Sequence, residues 1–245
     1  MPLVASTLSS QTFASLIDSS SHDEGGQASL ALYDVEALGR VYVCGSPLRG
    51  RLLLAHGAGA GPESAFIQGL LKAIASEGVQ TLAIEFAYWA RARHEGRRRP
   101  PPKIATLCDE IRAWRNVLPS SVWLGGKSMG GRAASMVAAE EGAPGLALCG
   151  YPFHPPGKPD RLRLDHWPQL TCPTLVLQGT RDPFGRRDEI EDYKLPTCVR
   201  VHFLEDGDHD FKPRRSSGRS QHDLICEAAG QIRHIFESSS NSSKR

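Results

Sequence analysis

Apolar residues in this chain fall into short, nearly continuous runs, separated by longer stretches in which they recur every three or four positions. The runs are Arg40 to Cys44, Leu52 to Ala55, Thr81 to Phe86, Val122 to Leu124, Leu146 to Cys149, Thr174 to Leu177 and Val199 to Leu204. Because the core runs are not alternating, they predict parallel strands covered on both faces. Between them, Ser64 to Ser76 places Phe66, Ile67, Leu70, Leu71 and Ile74 at helical spacing, and Ile104 to Leu118 does so with Leu107, Ile111, Trp114 and Leu118. Strands alternating with helices of this length predict right-handed crossovers and a doubly wound, mostly parallel sheet with helices on both faces. Such sheets hold ligands at the C-terminal ends of their strands.

The periodicity fades at both ends. Residues 1–29 are Ser-rich, with neither a basic leader nor a continuous apolar stretch, so they are expected to be poorly ordered and not to act as a secretory signal. The tail 238–245 reads the same way, leaving a single domain over 30–237. No run approaches the ~18 apolar residues of a membrane span. With 245 residues, 40% of them hydrophobic, the chain can bury a substantial core, and a net charge of +2 demands no polyanionic partner. Cys44, Cys108, Cys149, Cys172, Cys198 and Cys226 are scattered without a C-x-x-C pair, mostly inside apolar runs. They read as reduced core thiols of a cytoplasmic protein.

Candidate chemistry enters directly after Val122 to Leu124, where Gly126, Lys127, Ser128, Met129 and Gly130 form a G-x-S-x-G pentapeptide. A serine on the sharp turn from strand to helix has its hydroxyl thrust into the open, positioned as a nucleophile. A phosphate-binding P-loop is excluded, since it would need glycine at Ser121 and a loop at Val122 to Leu124. A serine nucleophile needs a base, and that base a third group to fix its tautomer. On strand-end loops in the order that this architecture uses, the sequence offers Asp182 after Thr174 to Leu177 and His209 after Val199 to Leu204. Asp206, Asp208 and Asp210 crowd His209 and remain alternative acids. A tetrahedral intermediate also needs two oxyanion donors. The backbone N–H groups of Met129 and of Ala58, in the small-residue turn His56 to Gly61, are the candidates.

In these stretches the chain resembles the α/β-hydrolase superfamily, more narrowly the dienelactone-hydrolase-related group that includes the KANL3/Tex30-type hydrolase-like domains. The likeness is carried by His56 to Gly59, Gly126 to Arg132 (GKSMGGR), Gly150 to Pro159 (GYPFHPPGKP), Gln178 to Gly185 (QGTRDPFG) and Gly207 to Phe211 (GDHDF), within Leu52 to Phe236. It implies the α/β-hydrolase fold, a Ser128, Asp182, His209 triad and hydrolysis of an ester-like bond. Serine replaces the cysteine nucleophile of the dienelactone hydrolases. Some relatives are subunits of larger assemblies, so a catalytically inactive interaction module with the same fold is the rival reading. Carboxylester, thioester and lactone are not separated by the sequence, and no metal or organic cofactor is called for.

Charge adds one expectation. Arg91 to Lys103, Gly157 to Arg163, Arg181 to Arg187 and Lys212 to Arg219 hold more than half of the 29 lysines and arginines. On strand-end loops they would ring the site and favour a small, anionic acyl substrate. The equal alternative is that Arg97 to Arg99 and Pro100 to Pro102 form an extended solvated loop. Basic and aromatic residues are not interleaved as nucleic-acid binding would require. The proline-rich stretch between Cys149 and Thr174 is too short for a lid domain and predicts a stiff flap over an open pocket, a minimal lid. His56, Tyr88, Trp89 and Phe153 are the candidate pocket walls. Nothing in the sequence sets an oligomeric state.

Overall fold

The computed structural model describes residues 3, 5–19 and 29–242. Its strands are β1 (Ser6–Leu8), β2 (Leu30–Val35), β3 (Gly39–Cys44), β4 (Gly50–Ala55), β5 (Val79–Ile84), β6 (Trp123–Lys127), β7 (Leu146–Cys149), β8 (Thr174–Gly179) and β9 (Val199–Leu204). The helices are α1 (Ser10–Ser19), α2 (Ala65–Ser76), α3 (Ala87–Glu95), α4 (Ile104–Arg115), α5 (Met129–Glu141), α6 (Arg187–Glu191) and α7 (Gln221–Ser242). The strands form one sheet in the order β1-β2-β3-β5-β4-β6-β7-β8-β9. From β5 to β9 every pairing is parallel, whereas β3 runs antiparallel to both β5 and β2.

Alternation along each strand sends neighbouring side chains to opposite layers. Leu52 and Leu54 of β4 pack with Leu70, Leu71 and Ile74 of α2 and Leu224, Ala228 and Ile232 of α7. Leu53 and Ala55 face the other way, onto Leu107 and Ile111 of α4 and Ala133 and Val137 of α5. The chain runs from β4 to β5 on one side and then returns to β6 on the other. The sheet's direction therefore reverses between β4 and β6, and that switch point is where an open sheet leaves a crevice. The loops after β4 and β6 open there: His56 to Gly61, and the turn at Ser128.

Three expectations change. The leading segment, expected to be poorly ordered, forms β1 and α1 over residues 6–8 and 10–19, with Phe13 and Ile17 fully buried. Phe13 and Ile17 lie one helical turn apart, an apolar stripe hidden among serines, and Phe13 packs edge-on against Trp114 at 5.9 Å. Residues 20–28 of that segment lie outside the described residues. At the other end α7 runs on to Ser242, through most of the tail expected to be disordered, while 243–245 lie outside the described residues. Finally, the basic segment from Arg91 begins as helix, since α3 reaches Glu95 and is closed by Gly96 in the left-handed region at φ 66°. Only 96–103 form the extended loop.

The stretch between β7 and β8 holds no lid. Its one regular element is a 3-10 turn at Trp167–Gln169, and Tyr151, Phe153 and Trp167 anchor it in the core. The Trp167 indole N–H donates to the Tyr151 hydroxyl at 3.0 Å, which donates to the Arg163 carbonyl at 2.8 Å.

Candidate active site

Ser128 sits between β6 and α5 with φ 53° and ψ −117°, a backbone state unfavourable for a residue with a side chain. Tight packing on both sides enforces it. A methyl group at Gly126 would lie 2.6 Å from the Ala55 carbonyl oxygen, and one at Gly130 would lie 2.3 Å from the same atom. Glycine at these two positions lets the turn press against the end of β4, which leaves the Ser128 hydroxyl projecting outward. Helix α5 starts at Met129, directly after the serine.

Loops from three strand ends bring the distant residues together. His209 Nε2 lies 2.9 Å from Ser128 Oγ, and His209 Nδ1 lies 2.8 Å from Asp182 Oδ2. Asp182 is fully buried. Its Oδ1 accepts from the Phe184 N–H at 2.9 Å, and its Oδ2 also accepts from Gln178 Nε2 at 3.0 Å. Since Oδ2 is an acceptor, Nδ1 carries the proton and the lone pair of Nε2 faces the serine hydroxyl. The other acids near His209 are occupied elsewhere. Asp206 binds Arg214 and Arg181, Asp208 accepts from the backbone N–H groups of Asp210 and Lys212, and Asp210 pairs with Lys127. Sequence reasoning missed Gln178 and Phe184, although one lies near the end of β8 four residues before Asp182 and the other follows it by two. The Phe184 ring lies 4.4 Å from the His209 imidazole.

The small-residue loop after β4 is fixed from beneath. The Gly57 carbonyl accepts from His56 Nδ1 at 2.7 Å and from the Tyr88 hydroxyl at 3.2 Å, while His56 Nε2 accepts from the Phe86 N–H at 3.2 Å. In a trans peptide C=O and N–H point in opposite directions. With the Gly57 oxygen held toward the core, the Ala58 N–H is turned away from it, on an exposed residue that lines the cavity beside Ser128. The Met129 N–H stands at the first position of α5, where no intrahelical partner exists.

This cavity measures about 370 Å³ and is bounded by the 57–60 loop, Phe66, Ile67, Lys127, Phe184 and Asp210 around Ser128 and His209. Three of the four expected wall residues are elsewhere. His56 is buried, touching Phe86, Tyr88 and Trp89, and burial lowers its pKa to about 4, so it stays neutral. Tyr88 is buried too, and burial raises its pKa. Phe153 belongs to the core under the flap, against Tyr151 and Trp167. A sequence marks such residues as loop aromatics without showing that these loops fold inward. Trp89 does line an annex of about 500 Å³ that shares Gly59, Ala60 and Ser64 with the serine cavity, its indole N–H held by Glu63 at 2.9 Å.

The expected basic ring is neutralised in part. Arg93 is bound by Glu85, Arg97 and Arg99 by Glu95, Arg187 by Glu205, and Arg219 by Glu227. Summing charge by segment overlooked acids reaching in from neighbouring elements.

Among solved structures, a dienelactone hydrolase from Anabaena variabilis is 20% identical, with a TM-score of 0.66 over 87% of this chain and 99% of that one. An α/β serine hydrolase without lid from Xanthomonas campestris is 16% identical, with a TM-score of 0.56 over 86% and 95% of the two chains. Est1E from Butyrivibrio proteoclasticus is 13% identical, with a TM-score of 0.58 over 85% and 99%. At these identities they establish the shared fold. A family model described as an alpha/beta hydrolase domain matches residues 48–237, the span that runs from β4 into α7 and holds each residue of the hydrogen-bonded line. The chain therefore belongs to the alpha/beta hydrolase domain family.

Proposed function

We propose that this protein is a serine hydrolase of ester-like bonds, working through an acyl-enzyme. The observation that carries the reading is the line from Ser128 through His209 to Asp182, with contacts of 2.9 and 2.8 Å. Ser128 Oγ attacks the acyl carbonyl as its proton passes to His209 Nε2. Asp182 steadies the resulting imidazolium, and the negative oxygen of the tetrahedral intermediate is met by the N–H groups of Ala58 and Met129. Collapse breaks the bond to the leaving group, which takes the proton from Nε2. Water then attacks the acyl-enzyme, giving its proton to His209 and releasing the acid and Ser128.

The substrate on this reading is a small acyl compound, since the stretch from β7 to β8 makes no tunnel for a long chain. Placement with the KANL3/Tex30-type domains rests on GKSMGGR, QGTRDPFG and GDHDF. The six cysteines, four of them buried, suit a reducing compartment such as the cytoplasm.

A fluorophosphonate probe tests the reading. Wild type and Ser216→Ala, a change on the exposed surface, should label, and Ser128→Ala should not. Turnover of a short-chain aryl ester should fall by about three orders of magnitude or more in Ser128→Ala. Folded wild type that neither labels nor turns over would instead support an interaction module.

A further inference from the structure

The residue beside the nucleophile is a buried lysine that the chemistry above does not use. Lys127 ends β6, and its side chain is only 6% exposed, yet it lines the same cavity as Ser128 and His209. Its ammonium lies 3.2 Å from Asp210 Oδ1 and 5.7 Å from the centre of the Phe66 ring. Burial lowers the pKa of Lys127, which means that its charge is incompletely compensated.

Asp210 is a loosely held partner. Its side chain is 64% exposed at the cavity mouth. The protein's structural ion pairs look different: Glu85, 3% exposed, takes two bonds from Arg93, and Asp206, 10% exposed, is held by both Arg214 and Arg181. An exposed carboxylate can swing into water at little cost, whereas a buried ammonium left alone is expensive. An incoming anion that takes the place of Asp210 therefore exchanges one ion pair for another. A neutral ligand gains nothing from Lys127.

We propose that Lys127 is an anion subsite for the acyl half of the substrate, and that Asp210 occupies it until a substrate carboxylate displaces it. The inference rests on Ser128 being the nucleophile. It assigns the substrate class as half-esters or half-thioesters of small dicarboxylic acids, with the free carboxylate on Lys127 while the scissile carbonyl meets Ser128. The annex past Gly59 and Ala60, the more open of the two cavities, receives the departing half.

The test compares 4-nitrophenyl hemiglutarate with 4-nitrophenyl pentanoate, esters of equal chain length, after subtraction of spontaneous hydrolysis. The readout is the ratio of their kcat/KM values in wild type, Lys127→Met and Asp210→Asn. The ratio should fall about tenfold or more in Lys127→Met and rise about threefold in Asp210→Asn, a change on the exposed side of the pair. Both shifts should persist in roughly 0.5 M NaCl, because a buried contact is little screened. A pair that merely braces two loops would depress both esters alike, and an unchanged ratio in both variants overturns the subsite while leaving the hydrolase reading intact. A ratio that salt abolishes in wild type assigns any preference to the rim arginines and overturns it equally. Wild type that neither labels at Ser128 nor hydrolyses either ester overturns both readings.

Discussion

The Gly57 carbonyl is the smallest unit on which the site's geometry turns, because two buried donors decide which way its peptide faces. His56 is kept neutral by burial, and its tautomer is set by the Phe86 N–H at one nitrogen and the Gly57 oxygen at the other. Tyr88 adds the second bond to that oxygen. Removing it in Tyr88→Phe leaves the ring packing intact and loosens the peptide that presents the Ala58 N–H. A hydrogen bond of this kind contributes about 0.5–1.5 kcal/mol. If it acts on the oxyanion donor, kcat should fall roughly three- to tenfold with KM little changed. Equal losses in kcat and thermal stability would point to packing alone. The sequence did reveal Ser128, Asp182 and His209 as residues to be brought together, because each stands just after a strand whose apolar run is unmistakable. It did not reveal the work of His56 and Tyr88, since hydrogen bonds to backbone depend on how a loop folds back and leave no spacing pattern.

At the scale of elements, legibility follows burial. The strands from β4 to β8, covered on both faces, carry short apolar runs and are read directly, while β9 at the sheet edge shows instead as an alternation of half-buried apolar and polar positions. β2 was passed over because LALYDV mixes half-buried and buried positions at the sheet's less covered side. α1 was missed for a related reason: its stripe is short, and serines surround it. Yet α1 is well fastened. Ser9 caps its start by accepting from the Thr12 N–H at 3.1 Å, and Arg51 donates to the Ile17 carbonyl near its end. Phe13 is fully buried between Tyr33 and Trp114. Phe13→Ala should cost roughly 3–5 kcal/mol, the usual range for emptying a buried aromatic site. Urea unfolding would show this as a lower midpoint with an unchanged slope. A cost under about 1 kcal/mol would mean that α1 docks only weakly and that the domain's core begins at β2.

Across the whole molecule, the reversal between β4 and β6 gathers the functional loops at one edge, and two imidazoles are locked into the packing around that edge. His56 lies under the β4 loop, and His166, on the stretch between β7 and β8, meets Ser135 of α5 at 2.8 Å. Burial lowers the pKa of each to about 4, with Arg132 adding to the effect at His166. In the unfolded chain a histidine takes up its proton near pH 6.5. Between about 6.5 and about 4 the unfolded state therefore binds protons that the native state refuses, and stability must fall as pH falls through that window. The slope approaches about 1.4 kcal/mol per pH unit for a fully buried site and is smaller for His166, which is less enclosed. Glu110 acts in the opposite sense, because burial raises its pKa and protonation then favours the native state, but it is one group against two. Asp206 and Glu227, whose pKa values are lowered by charged partners despite opposing desolvation, lose their contribution only below the ordinary carboxylate range. Urea titrations at pH 7.5, 6, 5 and 4.5 should accordingly show a steady loss of unfolding free energy, flattened in His166→Gln. A wild-type stability that is level from pH 7 to 5 would show that these imidazoles protonate freely, and the packing around the site would then have to be open to water.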